Sequence, residues 1–368
     1  MYLVIFLILG FSSIIELKYN LSTETKNLFK LFAYLVLVVF TGLRWETGTD
    51  WNSYQQHFDS IIDFKSIYSD NTNIEIGYNF FVWVIKCIYS NYSFFLLIHA
   101  IIYYLLLFIG LSKLSNNFFL SLLLLLSITI GVMGSNRQLM AIAIGVYSFN
   151  FILANKKYIF ILFVLLAFTF HTSALLLLLF LFVNFRLKII TLILILTLSI
   201  IIGKLKLVLM PFNILGDHFG GATALKAISY IEKTEKLDSI DKLSFIGLFK
   251  RFFLLSIFVI NRKKICQYTK NYDFLLNGYI LGIAFYFLFA DSLLIMINRG
   301  SLYFNICEPI LLTYQFCFFK STFLKKMALI LLILLSILLF FQSISPYPDL
   351  FMPYKGVFIN RDYSRIMY

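Results

Sequence analysis

Four arginines stand out as groups that could do chemistry: Arg44, Arg137, Arg251 and Arg299. Each falls within a few residues of the end of an apolar run, and the runs are far apart in sequence. A guanidinium stays charged when desolvated and presents a planar fork of donors that matches phosphate oxygens bidentately. A set of them at one membrane face is suited to hold a polyanion. Snorkelling or pairing with a local acid is the competing reading for any single one, but ionisable groups near hydrocarbon are costly and usually functional.

Three residues are candidates to accept a proton beside that cationic set. Asp50 closes the stretch LRWETGTD, Glu75 precedes IGYNFF, and His171 sits among apolar residues in FTFHTSALL. Asp50 and Glu75 also suit helix N-termini, so capping competes with general-base chemistry for both. The neutral imidazole of His171 near pH 7 is a competent acceptor, which favours it without excluding the other two. Tyr54, Tyr78 and Tyr303 offer aromatic faces, and Gln138 adds an amide beside Arg137. Trp45, Trp51 and Trp83 read equally well as an interfacial aromatic belt.

These side chains are carried by a chain of 368 residues that is 61% hydrophobic and 13% charged, a composition outside that of water-soluble domains. Apolar runs of about 17–25 residues are long enough to cross a hydrocarbon core as helices, and the alternating pattern of barrel strands is missing. The sequence therefore predicts an all-α, polytopic integral membrane protein. Its runs lie near 1–15, 28–43, 92–111, 117–134, 136–154, 158–170, 172–185, 189–209, 247–261, 274–290, 300–317 and 327–344, about twelve helices. The first lacks a basic leader and a cleavage site and reads as a retained helix. One integral domain over 1–368 is expected, with outer loops at about 44–91 and 210–246 and an outer tail at 345–368.

Basic residues set the sidedness. Lys18, Lys26 and Lys30, Lys113, Lys156 and Lys157, Arg186 and Lys188, Arg262 to Lys264, and Lys320, Lys325 and Lys326 fall on one side, which the positive-inside rule makes cytoplasmic. The four arginines and the three proton acceptors fall toward the other. This parity requires EIGYNFFVWVIKCIYSN (75–91) to lie along the outer surface, which its marginal length, Lys86 and aromatic content suit. The run 158–185 is too long for one crossing and short for two. As a hairpin, its arms of about 14 residues reach roughly 21 Å each, and the turn at His171 sits below the outer surface.

The net charge of +13 is mostly accounted for by this topology, so nucleic acid is not expected as a partner. Cys87, Cys266, Cys307 and Cys317 have no metal-ligand spacing, and neither a metal nor a cofactor is expected. No glycine loop of the nucleotide-binding kind is present, which disfavours a nucleotide-sugar donor. His57 and His218 lie in loops, and His99 reads as a packing residue within a helix.

The order RWETGTDWNSY, then EIGY, NRQLMAIA, FHTSAL and late NRGSLYF resembles the EpsG family of Wzy-type polysaccharide polymerases over roughly residues 25 to 310. Trp51 stands where that pattern more usually has tyrosine or phenylalanine. The resemblance implies a multi-pass glycosyltransferase of the bacterial cytoplasmic (inner) membrane with its active face outward. It would join polyprenyl-diphosphate-linked oligosaccharide units into O-antigen, capsule or exopolysaccharide. Its partners would be the lipid-linked donor and acceptor, membrane lipids and a chain-length regulator. Arg44, Arg137, Gln138, Arg251 and Arg299, with Tyr54, Tyr78 and Tyr303, would bind substrate, and His171, Asp50 or Glu75 would take the acceptor proton. A lipid-linked oligosaccharide flippase, which needs charges along a central path, and an O-antigen ligase, which shares donor and leaving group, stand as alternatives.

Overall fold

Long runs of Leu, Ile and Phe with few charges leave the backbone only itself as a hydrogen-bonding partner in hydrocarbon, so such runs form helices. The computed structural model follows that rule: it is 78% helix, and the described residues contain two isolated bridges but no strand. It describes residues 1–19, 21–68, 74–210, 245–267, 269, 271–319 and 321–364. Residues 211–244, which hold nearly all of the expected second outer loop and His218, lie outside them.

The chain divides into two compact units, Met1–Leu175 with Leu312–Tyr368, and Leu176–Leu311. The first unit contains α1 (Tyr2–Lys18), α2 (Thr23–Gly42), α3 (Trp51–Ser60), α4 (Ile76–Ile88), α5 (Tyr92–Leu114), α6 (Phe118–Thr129), α7 (Asn136–Leu153) and α8 (Lys157–Phe170). The second holds α9 (Ile189–Lys204), α10 (Phe245–Ile265), α11 (Asn271–Phe289), α12 (Leu294–Gly300) and α13 (Leu302–Asn305). α14 (Cys307–Tyr314) joins it back to the first unit, which α15 (Thr322–Ile344) completes. Among the described residues α2, α5, α11 and α15 are each long and apolar enough to cross a membrane, and α4, α6, α8 and α9 are shorter apolar helices.

Two of the expected helices take another form. Residues 300–317 are not one helix but the short pieces α12, α13 and α14 followed by a 3-10 segment, Gln315–Phe318. Pro309 accounts for the break near Ile306: it has no N–H to donate to Asn305, and its ring crowds that carbonyl. The run after His171 is a 3-10 helix, Thr172–Phe182, of 11 residues. At about 2.0 Å per residue it reaches roughly 22 Å, further than an α-helix of that length.

The first unit has two distinct ends. At one, Tyr2 of α1 packs against Phe40 at the end of α2, Phe340 near the end of α15, and Tyr354 of the tail. Asn136, which opens α7, reaches the Tyr92 hydroxyl at the start of α5. At the other end, Lys30 donates to Ser112 at 3.0 Å and lies over the Phe118 ring, and Glu16 accepts from the Phe119 amide. Lys18, Lys113, Lys156 and Lys157 belong to that second, lysine-bearing end. α4 is 13 residues long and does not cross the unit. Its first flank, Glu75, meets Arg137, and the chain leaves it for Tyr92, both at the end away from Lys18, Lys30 and Lys113. Lys86, near its C-terminus, donates to the carbonyls of Phe58 and Asp59, completing the orphan acceptors that close α3.

Candidate functional site

The polar residues of the first unit gather where α3, α4, α7 and α8 meet. The approach begins at two glycines. Gly48 has φ +99°, and a Cβ there would come 2.6 Å from Gly134 Cα. With neither position bearing a side chain, the loop 44–50 lies directly on the turn that opens α7. Gly77 plays the matching part in α4, where a Cβ would fall 2.2 Å from Thr169 Oγ1 of α8.

Those approaches seat Arg137 in the first turn of α7. Its Nη1 forms an ion pair with Glu75 and its Nε donates to the Tyr54 hydroxyl at 3.0 Å, with the guanidinium also over the Tyr54 ring. Its Nη2 makes no hydrogen bond among the described residues. The second oxygen of Glu75 accepts the Thr172 amide at 3.0 Å, so one carboxylate ties α7 to the turn after α8. Glu75 stands at the N-cap of α4 without capping it, and Asp50 does the same at α3. Asp50 instead accepts from Ser135 Oγ at 2.8 Å, and among the described residues it forms no ion pair.

His171 is the residue on which α8 stops; its backbone is extended and its side chain is 7% exposed. Ser173 Oγ lies 2.6 Å from Nδ1 and the Ser173 amide points at the same nitrogen, 3.3 Å away. An amide can only donate, so Nδ1 is the acceptor and the neutral ring carries its proton on Nε2. Tyr78, fully buried, packs edge-on to Tyr54 at 5.6 Å. Burial pushes the Tyr54 hydroxyl above its usual pKa against the pull of Arg137. It therefore stays protonated, able to accept from Arg137 and donate elsewhere. Gln138 is buried in the same turn of α7.

Arg44 is held differently. It is 1% exposed, donates through Nη1 to the Thr41 carbonyl at 2.6 Å and through Nη2 to Asn136 Oδ1 at 2.5 Å, and leaves Nε buried without a partner among the described residues. Burial lowers its pKa, with surrounding tyrosines opposing the shift. The C-terminal tail closes over its loop. Trp45 N and Thr47 Oγ1 both donate to the Lys355 carbonyl, Val357 N donates to Leu43, and Lys355 forms an ion pair with Glu46. Arg361 lies over the Trp45 ring.

Arg251, Arg299 and Tyr303 belong to the second unit. Arg251 sits over the Tyr286 ring at 4.6 Å, and its carbonyl accepts from Tyr279. Arg299 is exposed on α12, and Tyr303 is fully buried on α13. Nearby in sequence, Lys250 pairs with Glu308 at 2.8 Å. The structure thus brings Tyr54, Glu75 and Arg137 into direct contact. Asp50 and Arg44 join them through Ser135 and Asn136, and His171 does so through the Thr172 amide. Ser135, Asn136, Ser173 and Lys355 were not singled out in the sequence, Asn136 and Ser173 standing there only inside the stretches NRQLMAIA and FHTSAL. The first two directly precede Arg137 in GSNRQLM, where a pair of small polar residues before an arginine at a helix start was the available signal.

A fold built of membrane-length helices with half-buried ion pairs and buried hydroxyls at one end defines an integral membrane protein with a polar site. The chain matches the EpsG family model over residues 27–356 and belongs to that family, a family of Wzy-type polysaccharide polymerases. No curated protein and no solved structure matches it.

Proposed function

We propose that this protein is a membrane glycosyltransferase that joins polyprenyl-diphosphate-linked oligosaccharide units into a surface polysaccharide. Family membership supports the class of activity. The observation that carries the mechanism is the Arg137, Glu75 and Tyr54 cluster, bordered by Asp50 and His171, at the end of the first unit opposite Lys18, Lys30, Lys113, Lys156 and Lys157. Because lysine-rich ends face the cytoplasm, this cluster is assigned to the outer leaflet, where the lipid-linked donor is presented.

In the reaction a sugar hydroxyl of one unit attacks the anomeric carbon of the other. The bond from that carbon to the diphosphate oxygen breaks, and the polyprenyl diphosphate departs with the electron pair. Arg137, its Nη2 open to an anion, receives the charge that develops on the leaving oxygens, and His171 offers Nε2–H to the same oxygens. Glu75, with one oxygen on a guanidinium and the other on an amide, acts by aiming Arg137. Asp50, held among the described residues by a serine hydroxyl alone, takes the acceptor proton. Arg44 is buried and engaged on both terminal nitrogens, so it positions the loop that carries Asp50. Arg251 and Arg299, in the second unit, are assigned to substrate binding, whereas Tyr303 is fully buried on α13.

The test is complementation of a strain lacking the gene, with polysaccharide length read on a gel and protein abundance by immunoblot. Arg137→Ala at normal abundance is expected to collapse the ladder to a single repeat unit. Full-length polymer from that variant would sink the assignment.

A further inference from the structure

We infer that the groove between α1 and α15 at the lysine-bearing end is a binding site for an anionic phospholipid. The groove has a volume of about 420 Å³, and Lys18, Lys325 and Lys326 line it together with Thr322, Ile14 and Leu329. Lys18 closes α1, while Lys325 and Lys326 lie in the first turns of α15. The two helices run antiparallel: Tyr2 and Phe340 meet at the far end. The three ammonium groups therefore converge at one level from two helices. Ile14 precedes Lys18 by four residues and Leu329 follows Lys325 by four, which places both about 6 Å deeper. The result is a cationic mouth with a hydroxyl beside it over an apolar wall, matching a phosphate headgroup above acyl chain.

The charge of the occupant follows from what the lysines lack. Among the described residues none of the three forms an ion pair, and Lys18 has only the ring of its neighbour Tyr19. Glu16, the acid nearest in α1, is turned away to the Phe119 amide. A zwitterionic headgroup brings its own cation into that mouth, whereas an anionic one does not, and basic recesses between helices select accordingly. The site is remote from the Arg137 cluster and does not depend on the activity proposed for it.

The experiment uses the full chain purified in mild detergent and native mass spectrometry, with phosphatidylglycerol and phosphatidylcholine of matched acyl chains and with inorganic phosphate. Phosphatidylglycerol is expected to bind at least tenfold more tightly than phosphatidylcholine, and millimolar phosphate is expected not to displace it. Lys18→Gln, Lys325→Gln and Lys326→Gln together should weaken it by roughly a hundredfold, as three basic groups near an anionic surface would. The corresponding arginine triple should keep it. If the glutamine triple cannot be recovered folded, Lys18→Gln or Lys325→Gln alone should each weaken binding about fivefold. Lys156→Gln with Lys157→Gln, at the same end but outside the groove, should leave binding unchanged. Equal affinity for phosphatidylcholine, displacement by phosphate alone, or equal losses in the groove and control variants would each overturn the inference.

Discussion

Arg137 in the first unit and Arg251 in the second are the same side chain in opposite settings. Arg137 is fixed by an ion pair, a hydroxyl and an aromatic face, and its partner Glu75 is itself anchored to the Thr172 amide. Among the described residues Arg251 has a single aromatic face, that of Tyr286. Groups fixed before substrate arrives need no reorganisation as charge develops, and that is where electrostatic stabilisation is largest. A cation held by one ring can still bind an anion, but one ring fixes its direction less than an ion pair, a hydroxyl and a ring together do. Positioning therefore separates the two arginines, although charge and helix-end location do not.

The carboxylates offer the sharpest way to break that contrast. Asp50→Asn in the first unit removes the proposed proton acceptor while keeping a group that Ser135 can bond. Loss of a general base is expected to slow polymerisation by about 10²- to 10⁴-fold. Glu308→Gln in the second unit removes only the partner of Lys250 and should leave more than a tenth of the activity, a loss of less than about 1.4 kcal/mol. Both are read as repeat units joined per unit time in membranes supplied with lipid-linked oligosaccharide. Equal losses would mean that the chemistry is not centred on the first unit.

The arginines themselves come next. Arg137→Ala should cost about 10²- to 10³-fold, the size seen when one fixed donor to a developing oxyanion is lost. Arg251→Ala should cost less, and Arg251→Lys less again, because an ammonium also sits on a tyrosine face. If Arg251→Ala proves as damaging as Arg137→Ala in the same assay, positioning is not what separates them.

The all-helical class was legible in the sequence, and so was the gathering of Lys18, Lys30 and Lys113 at one end of the first unit, because both follow from local composition. So was the non-crossing course of 75–91: Glu75 and Tyr92 flank it at one end of the unit. Arg137, Glu75, Asp50 and Tyr54 could be picked out singly as polar groups out of place. Their pairing could not, since 62 residues separate the two members of the Arg137–Glu75 pair and no periodicity links them. The capping roles open to Asp50 and Glu75 were reasonable from their positions, but tertiary partners took both carboxylates. Lys355 was the least accessible, lying 309 residues from Glu46 in a short polar tail. The broken course of 300–317 was signalled by Pro309, whereas the 3-10 form of the leucine run after His171 has no local marker.

A smaller effect tests how far the fixed geometry depends on backbone. Gly48→Ala would place a methyl group against Gly134 and force alanine into φ +99°. The strained backbone alone is expected to cost about 1–3 kcal/mol, seen as a lower unfolding temperature in detergent. Activity should fall further than Tm alone explains, because the displaced loop carries Asp50. A variant that loses stability but keeps full activity per folded molecule would show that the loop need not be held so closely.

The smallest expected effect lies beneath the site, where α3 rests on α4. His57 Nε2 lies 2.9 Å from Asn79 Oδ1, and Asn79 Nδ2 donates to the Ile67 carbonyl at 3.0 Å. The amide is thereby oriented, so Nε2 is the donor and Nδ1 stays unprotonated, buried and, among the described residues, without a partner. Burial pulls the imidazole below its ordinary value of 6.5; the Asn79 bond opposes the shift and the Arg137 charge adds to it. A histidine with a lowered folded pKa is protonated more readily when unfolded, so its stabilising contribution is complete above about 6.5. It is lost as pH falls from there through the folded value. Amide exchange protection over residues 51–60 and 76–88 should therefore decrease between pH 7.5 and pH 5.5, after correction for intrinsic rates. His57→Gln, which keeps an amide donor for Asn79 and cannot titrate, should flatten that dependence. Unchanged pH dependence in that variant would move the titrating group elsewhere and leave the support beneath Tyr54 and Arg137 independent of His57.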